Sequence, residues 1–411
     1  MSLIINNSII VIKIKIILLY LFVIFASCNN PKETMGKVCF WDDCNVVAST
    51  VIENGDTVIV CDLNKVSQHK IVLSSIILYT LDYITLKEDS VEALISKRLS
   101  NIYTTENYMG FAAGSYFPFK LFKKDGTFVG NIGAIGQGRG EYVAVDAVYM
   151  DEVNDKIYLL PYSSDRILVY NFEAEYLSDI KLVERTMYGS SIRIDAKNKE
   201  VLITNSIVGN PAYFVWIQDF DGNFKQGVKP VDYFKNIAES FDESTLTRFR
   251  TNHIELFRLG YKNSTECLYH YDIKSNRLVP KFKLVNVNDN LSIMIHELPL
   301  HYIVEDVCFV GPDQDELETR KVLIDKKTLK GCIVDGFQIL DNLTYNDYCL
   351  FTQMHGREFA ILDMSSVVEE RVNKMQKKTA NILSLEKNIS EKKKDKNDEC
   401  SIVFLGKFKQ K

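Results

Sequence analysis

Gly133, Gly136, Gly138 and Gly140 fall within one short stretch, and backbone amides freed of side chains can cradle a phosphate. That chemistry needs the glycines between a strand and a helix N-terminus, with Lys-Ser/Thr following in the P-loop case. Here Glu141-Tyr142 and more strand-like sequence follow, so the stretch reads as a structural turn that presents Arg139, Glu141 and Tyr142 on a loop face. A second cluster, His296-Glu297-Leu-Pro-Leu-His301, has the residue types of a zinc hydrolase but the wrong spacing. Two ligands on one helical face sit at i and i+4, these histidines sit at i and i+5, and Pro299 interrupts any helix there. His69, His253, His270 and His355 are scattered, and Asp313-Gln-Asp315 is a fragment of a calcium loop without the glycine and remaining ligands. It reads as a turn. There is no G-x-S-x-G nucleophile elbow. Paired carboxylates for glycoside cleavage would meet from distant segments and leave no local signature.

Sulfur chemistry divides in two. Lys13 and Lys15 precede the apolar run Ile16 to Ala26, of signal-peptide length, which ends in Phe25-Ala26-Ser27-Cys28. Small residues there suit a signal peptidase, and the Cys28 thiol can accept diacylglycerol, so residues 1–27 read as a lipoprotein signal and Cys28 as the lipidation site. Two acyl chains hold a protein to a membrane stably. The expected location is the bacterial cell envelope, anchored to the outer membrane, with the facing side left open. Eight cysteines remain of nine; their even number in an exported chain invites disulfides, yet a domain this size needs no staples, and most are expected to be free buried thiols. Cys39 and Cys44 have no matching second pair at metal-ligand spacing, so no metal and no cofactor is expected. The formal charge of -5 becomes -7 once Lys13 and Lys15 leave, which argues against a nucleic-acid surface.

The elements that must position any site come from a repeat. Phe122-Lys-Lys-Asp-Gly-Thr-Phe128 runs from an apolar strand through an Asp-Gly turn to an aromatic exit, the chemistry of a tight hairpin. Further copies lie at Tyr170 to Tyr176, Asp219 to Phe224, Tyr271 to Leu278 and Leu323 to Leu329, with exits spaced 48, 48, 54 and 51 residues. Between the first two turns lie Asp146-Ala-Val-Tyr-Met, Lys156-Ile-Tyr-Leu-Leu and Arg166-Ile-Leu-Val-Tyr-Asn, and after the second comes Tyr176 to Leu182. That is a four-stranded meander per repeat. One such sheet cannot bury both faces, so the sheets must pack radially into a ring. The fold class is all-β, a six-bladed β-propeller of four-stranded antiparallel blades, with an open solenoid or a pair of sandwiches as alternatives. The expected layout is a tether over 28–50 and a propeller over 51–411. Its last strand, Ser401 to Phe408, closes the ring, and an amphipathic helical insertion covers about 365–396. Lys392 to Lys394 reads as that helix's solvated end.

The segment Asn131-Ile-Gly-Ala-Ile-Gly-Gln-Gly-Arg-Gly-Glu-Tyr142, with Asp146, Lys156-Ile-Tyr158 and Arg166 to Tyr170, resembles the NHL-type repeat. More closely, it is similar to the six-bladed β-propeller lipoproteins of Bacteroides-like bacteria, in which Arg139 stands where proline is usual. Val72 to Lys87 resembles that family's first blade. The resemblance implies extracytoplasmic binding or scaffolding for a glycan, a peptide or an envelope protein, with the membrane reached through the lipid anchor, and supplies no catalytic residues. A glycan-active hydrolase or lyase with acidic or His residues at the channel is the alternative. A structural partner of an outer-membrane complex is a third reading.

Overall fold

The computed structural model describes residues 39–410 apart from 96–100, 114–116, 207–210, 234–243, 249–254, 260–266, 288–291, 311–315, 346–357 and 397–398. The signal over 1–27, Cys28, the Asp313-Gln-Asp315 fragment, Cys349, His253 and His355 lie outside the described residues. The chain divides into two compact units, Met1–Asp42 and Asp43–Lys411. In the first, residues 39–42 form a tight turn in which Asp42 N–H donates to the Cys39 carbonyl at 3.0 Å.

Among the described residues the second unit carries six blade sheets, in chain order, and a two-stranded parallel sheet of Ala134–Ile135 and Glu141–Tyr142. Blade I is Asn101–Thr104, Tyr108–Ala112, Phe119–Lys123 and Phe128–Ile132; blade II is Val145–Asp151, Lys156–Pro161, Arg166–Tyr170 and Tyr176–Lys181. Blade III is Ser191–Asp195, Glu200–Thr204, Val215–Asp219 and Phe224–Val228; blade IV is Ser244–Arg248, Glu255–Leu259, Cys267–Asp272 and Arg277–Val285. Blade V is Ser292–Glu297, His301–Val310, Glu316–Asp325 and Lys330–Ile339. Blade VI joins the two ends of the chain: Ser401–Phe408 pairs with Glu358–Met364 on one side and Leu78–Thr85 on the other. The expected closing strand is therefore the middle strand of a composite sheet.

Strand periodicity explains why these sheets stack. Side chains alternate between faces, and in Lys156–Pro161 both faces are buried: Ile157 and Leu159 pack with blade I, Tyr158 and Leu160 with blade III. The same alternation sends Val201, Ile203 and Trp216 of blade III towards blade II, and Leu202, Val215 and Ile217 towards blade IV. Blades IV and V share Leu268, Phe282, Ile295 and Val304. Phe337 of blade V meets Phe359 of blade VI at 5.4 Å between ring centroids, and Val403 and Leu405 of blade VI pack on Ile102 and Phe111 of blade I. Each sheet thus has a neighbour on both faces, and the ring closes.

All five turns expected from the repeat are the last hairpins of blades I to V. A side-chain acceptor shapes each one: Asp125 Oδ1 takes the Thr127 amide, Asn171 Oδ1 the Glu173 and Glu175 amides, Asp219 Oδ1 the Asp221 and Asn223 amides, Asp272 Oδ1 the Lys274 amide, and Asp325 Oδ1 the Lys327 and Thr328 amides. Gly126 and Gly222 supply positive φ, +83° and +86°.

Three expectations are corrected in detail. Regular pairing begins at Asn45–Val46 and Ala48–Glu53, before the expected boundary at 51. Val72 to Lys87 does not form a first blade. His69–Leu73 runs parallel to the outer strand of blade V, and Leu78–Thr85 is the outer strand of blade VI. Asp56–Asp62 likewise runs parallel to the outer strand of blade IV, so the N-terminal segment crosses three outer edges before blade I begins. The helical insertion is two helices, α1 (Ser365–Asn373) and α2 (Ala380–Lys396), because Thr379 starts a new one: its hydroxyl accepts the Ile382 amide at 3.4 Å. Lys392–Lys394 lies in α2, and its side chains are outside the described residues.

Candidate functional site

The glycine-rich loop connects blade I to blade II. Gly133 and Gly140 have φ of +68° and +71°, which side-chain-bearing residues rarely adopt. The three residues expected on the loop face build the loop itself. Glu141 Oε2 accepts the Gly138 amide at 2.8 Å, and a Cβ at Gly136 would lie 2.1 Å from that oxygen. The Arg139 guanidinium lies over the Tyr176 ring, 5.3 Å from its centroid. Tyr142 is only 3% exposed; its hydroxyl donates to the Ile132 carbonyl at 2.5 Å and accepts the Phe119 amide at 2.8 Å. Arg139 and Glu141 are exposed, whereas Tyr142 is a core residue that bridges two strands of blade I.

A cavity of about 980 Å³ opens on the opposite end of the blades, the end that carries the five repeat turns. An antiparallel meander puts its first and third turns on one end and its second turn and its exit on the other. Tyr149 and Asp151 reach the cavity from the first strand of blade II, Arg193 and Asp195 from the first strand of blade III, and Tyr271, Asp272, Arg277 and Lys281 from blade IV. Lys281 is the extra residue of a β-bulge, since Leu268 pairs with Phe282 and Tyr269 with Pro280. The bulge re-aims its side chain.

The acids of this cavity are occupied. Asp151 and Asp195 each hold the asparagine three residues on, Asn154 and Asn198, through both backbone and side-chain amides. Asp272 accepts from Ser275 Oγ at 2.5 Å, Glu200 pairs with Lys225, and Asp56 takes both guanidinium ends of Arg277 at 2.6 and 2.8 Å. The Asn198 amide holds the Asp195 carboxyl below its usual range, the Ser275 hydroxyl does so for Asp272, and the Arg277 guanidinium for Asp56. By contrast, Arg193 makes no side-chain hydrogen bond or ion pair among the described residues, and neither does Lys281. Tyr271 is fixed by Asn276 at 2.8 Å and Gln226 at 2.9 Å.

The motif His296 to His301 belongs to blade V and joins two strands instead of lying on a helix. His296 and His301 are 1% and 3% exposed and sit on two adjacent strands, so no helix aligns them. Burial pushes the His301 imidazole down to about 4, which keeps it neutral. Glu297 joins His270 of blade IV at 2.5 Å and Lys326 at 2.5 Å, and Lys326 covers the Tyr302 ring. Burial raises the Glu297 carboxyl, but His270 and Lys326 together outweigh it and hold the group ionised. This network latches blade IV to blade V, and His270 also lines the cavity edge.

Arg193 and Lys281 belong to no motif, and Tyr149 and Tyr271 enter the sequence reading only as strand and turn residues. A signal existed: Asp151-x-x-Asn154 and Asp195-x-x-Asn198 repeat the same turn 44 residues apart and mark the end of the ring on which the cavity lies.

Six sheets in meander order, stacked face to face and closed by a composite sheet, define a β-propeller. A family model described as a 6-bladed beta-propeller, DUF5128, matches residues 52–192. No curated protein matches the chain. Among solved structures, a Bacteroides fragilis protein described as exported is similar at 15% identity and a TM-score of 0.50, covering 85% of this chain and all of that one. A member of the DUF4221 family from Bacteroides vulgatus shares 11% identity over 81% of this chain and 98% of its own, with a TM-score of 0.43. A Bacteroides caccae protein of unknown function shares 14% over 70% and 93%, with a TM-score of 0.37. At these identities the first likeness speaks for the fold alone.

Proposed function

We propose that this chain is an exported, lipid-anchored binding module that takes an acidic glycan in the cavity lined by blades II, III and IV, and that it does not cleave it. The observation that carries the reading is the asymmetry of the cavity's polar groups. Its carboxylates are engaged by turn amides, hydroxyls and cations, while Arg193 and Lys281 make no polar side-chain bond among the described residues. A ligand entering there meets cationic donors beside the rings of Tyr149 and Tyr271, a combination that suits sugar rings bearing carboxylate or sulfate groups. A volume of about 980 Å³ accommodates more than one sugar ring.

Glycoside hydrolysis requires one carboxyl held protonated near neutral pH as general acid. Asp56, Asp195 and Asp272 are instead displaced downward, which supports binding over cleavage. The apolar run before Phe25-Ala26-Ser27-Cys28, together with an exported protein of similar fold, supports placement outside the cytoplasm. The test is an array of acidic and neutral glycans probed with the full chain and with Arg193→Ala. Retention of acidic glycans, weakened about tenfold or more in the variant, is the expected result, since a hydrogen bond to a charged group contributes about 1.5–3 kcal/mol. Retention of neutral glycans alone, or an unaffected variant, removes the reading. Released reducing ends would move it to the hydrolase.

A further inference from the structure

The cysteines of blade V carry the inference. Asn45 lies opposite Gly331 and Val46 opposite Lys330 in an antiparallel pair, so the register places Cys44 directly opposite Cys332. Both residues are buried, 4% and 0% exposed. Directly opposed residues on antiparallel strands have Cβ atoms about 4.5–5.5 Å apart, close to the separation a disulfide bridges. The other described thiols lack this placement. Cys61 and Cys267 sit on strands separated by Arg277–Val285, so they are two strand spacings apart, roughly 9–10 Å, beyond bridging distance. Cys39 is exposed and Cys400 buried, and neither is placed opposite another cysteine in a strand pair.

We propose that Cys44 and Cys332 form a disulfide in an oxidising compartment, a covalent clasp that fixes the start of the N-terminal segment to the outer strand of blade V. Two thiols each lose a proton and together two electrons. One S–S bond forms and another breaks: the disulfide of an envelope dithiol–disulfide oxidase is reduced to its dithiol, or in vitro oxidised glutathione is reduced to two molecules of glutathione. Burial raises both thiols, Cys332 to about 12, so the thiolate needed for exchange is scarce once the strands have paired. Oxidation therefore accompanies folding. Cys44 is sixteen residues past Cys28, so tension on a lipid anchor at Cys28 would be taken by a covalent bond, whereas the two-residue strand Asn45–Val46 alone would peel.

The full chain, unfolded, reduced and refolded in a glutathione redox buffer, is alkylated under denaturing conditions and digested without reductant. The expected product is one cross-linked peptide pair holding Cys44 and Cys332, lighter by two hydrogens than the separate peptides and absent from Cys44→Ser. Oxidised wild type should unfold at higher urea than reduced wild type, with no redox shift in Cys44→Ser. Full alkylation of both cysteines after oxidative refolding overturns the proposal, as does a dominant cross-link of Cys332 to any other cysteine. Because the oxidant is supplied in vitro, the outcome does not depend on where the chain resides in the cell.

Discussion

Replacing Tyr142 by phenylalanine removes one oxygen and tests whether the glycine-rich loop is architecture. That oxygen lies within blade I, accepting the Phe119 amide at 2.8 Å and donating to the Ile132 carbonyl at 2.5 Å, where Phe119 and Ile132 are cross-strand partners. The ring stays packed in Tyr142→Phe, so little apolar burial is lost, but one buried N–H and one buried C=O lose their partner. At about 1–3 kcal/mol for each unsatisfied group, the variant should lose about 2–6 kcal/mol. Tyr170→Phe is the control, because among the described residues its hydroxyl serves only the Gly140 carbonyl, at 2.6 Å, and should cost about 1–3 kcal/mol. Urea unfolding followed by the fluorescence of Trp216, fully buried between blades II and III, reads both changes. With a slope of about 3 kcal/mol/M, the Tyr142→Phe midpoint falls by about 0.7–2 M, further than that of Tyr170→Phe. A Tyr142→Phe midpoint within about 0.2 M of wild type would mean that the two strands close up and restore a direct bond, and the reasoning would fail.

Asp146 gives a pH signature. Burial pushes its carboxyl up to about 7 against the downward pull of the Gly189 and Ser190 amides, while the unfolded group titrates near 3.8. Between those values the native state binds more protons than the unfolded state, so this group's contribution to stability falls as pH rises and levels off above pH 7. The stability of wild type relative to Asp146→Asn should therefore drop by about 2 kcal/mol from pH 5.5 to pH 8, measured by paired urea titrations, and an unchanged difference refutes the shift. Phe404 in the closing strand is fully buried between Tyr345 and Tyr83; Phe404→Ala should cost about 3–5 kcal/mol, and a loss below about 1 would show that the ring does not depend on this seal. Arg277→Met removes the bidentate pair with Asp56, so amide exchange in Ala48–Glu53 should accelerate ahead of blades I to III, and uniform exchange would deny that the pair fastens this hairpin.

Most of the ring is legible from local chemistry. Asx turns at Asn171, Asp219, Asp272 and Asp325 are read within five residues, and alternating runs such as Lys156–Pro161 announce strands without knowing their neighbours. Ser401–Phe408 was legible as a closing strand because its alternation follows a helical stretch. The pairing of Asp56–Asp62 with blade IV and of His69–Leu73 with blade V was not legible, since a parallel outer-edge contact over two hundred residues leaves no spacing to detect. The cavity was hidden for the same reason: Tyr149, Arg193 and Lys281 become neighbours only when three blades stack. In the glycine loop Glu141 is spent on Gly138, Arg139 lies over Tyr176 of blade II and Tyr142 bridges two strands of blade I, partners that a local motif cannot show.

Calorimetric titration of an acidic oligosaccharide into wild type, Arg193→Ala and Arg139→Ala compares the two ends of the ring most directly. Binding weakened about tenfold or more by Arg193→Ala and unchanged by Arg139→Ala is the predicted result. Binding lost in Arg139→Ala and intact in Arg193→Ala would place the ligand on the glycine-loop end and contradict the account.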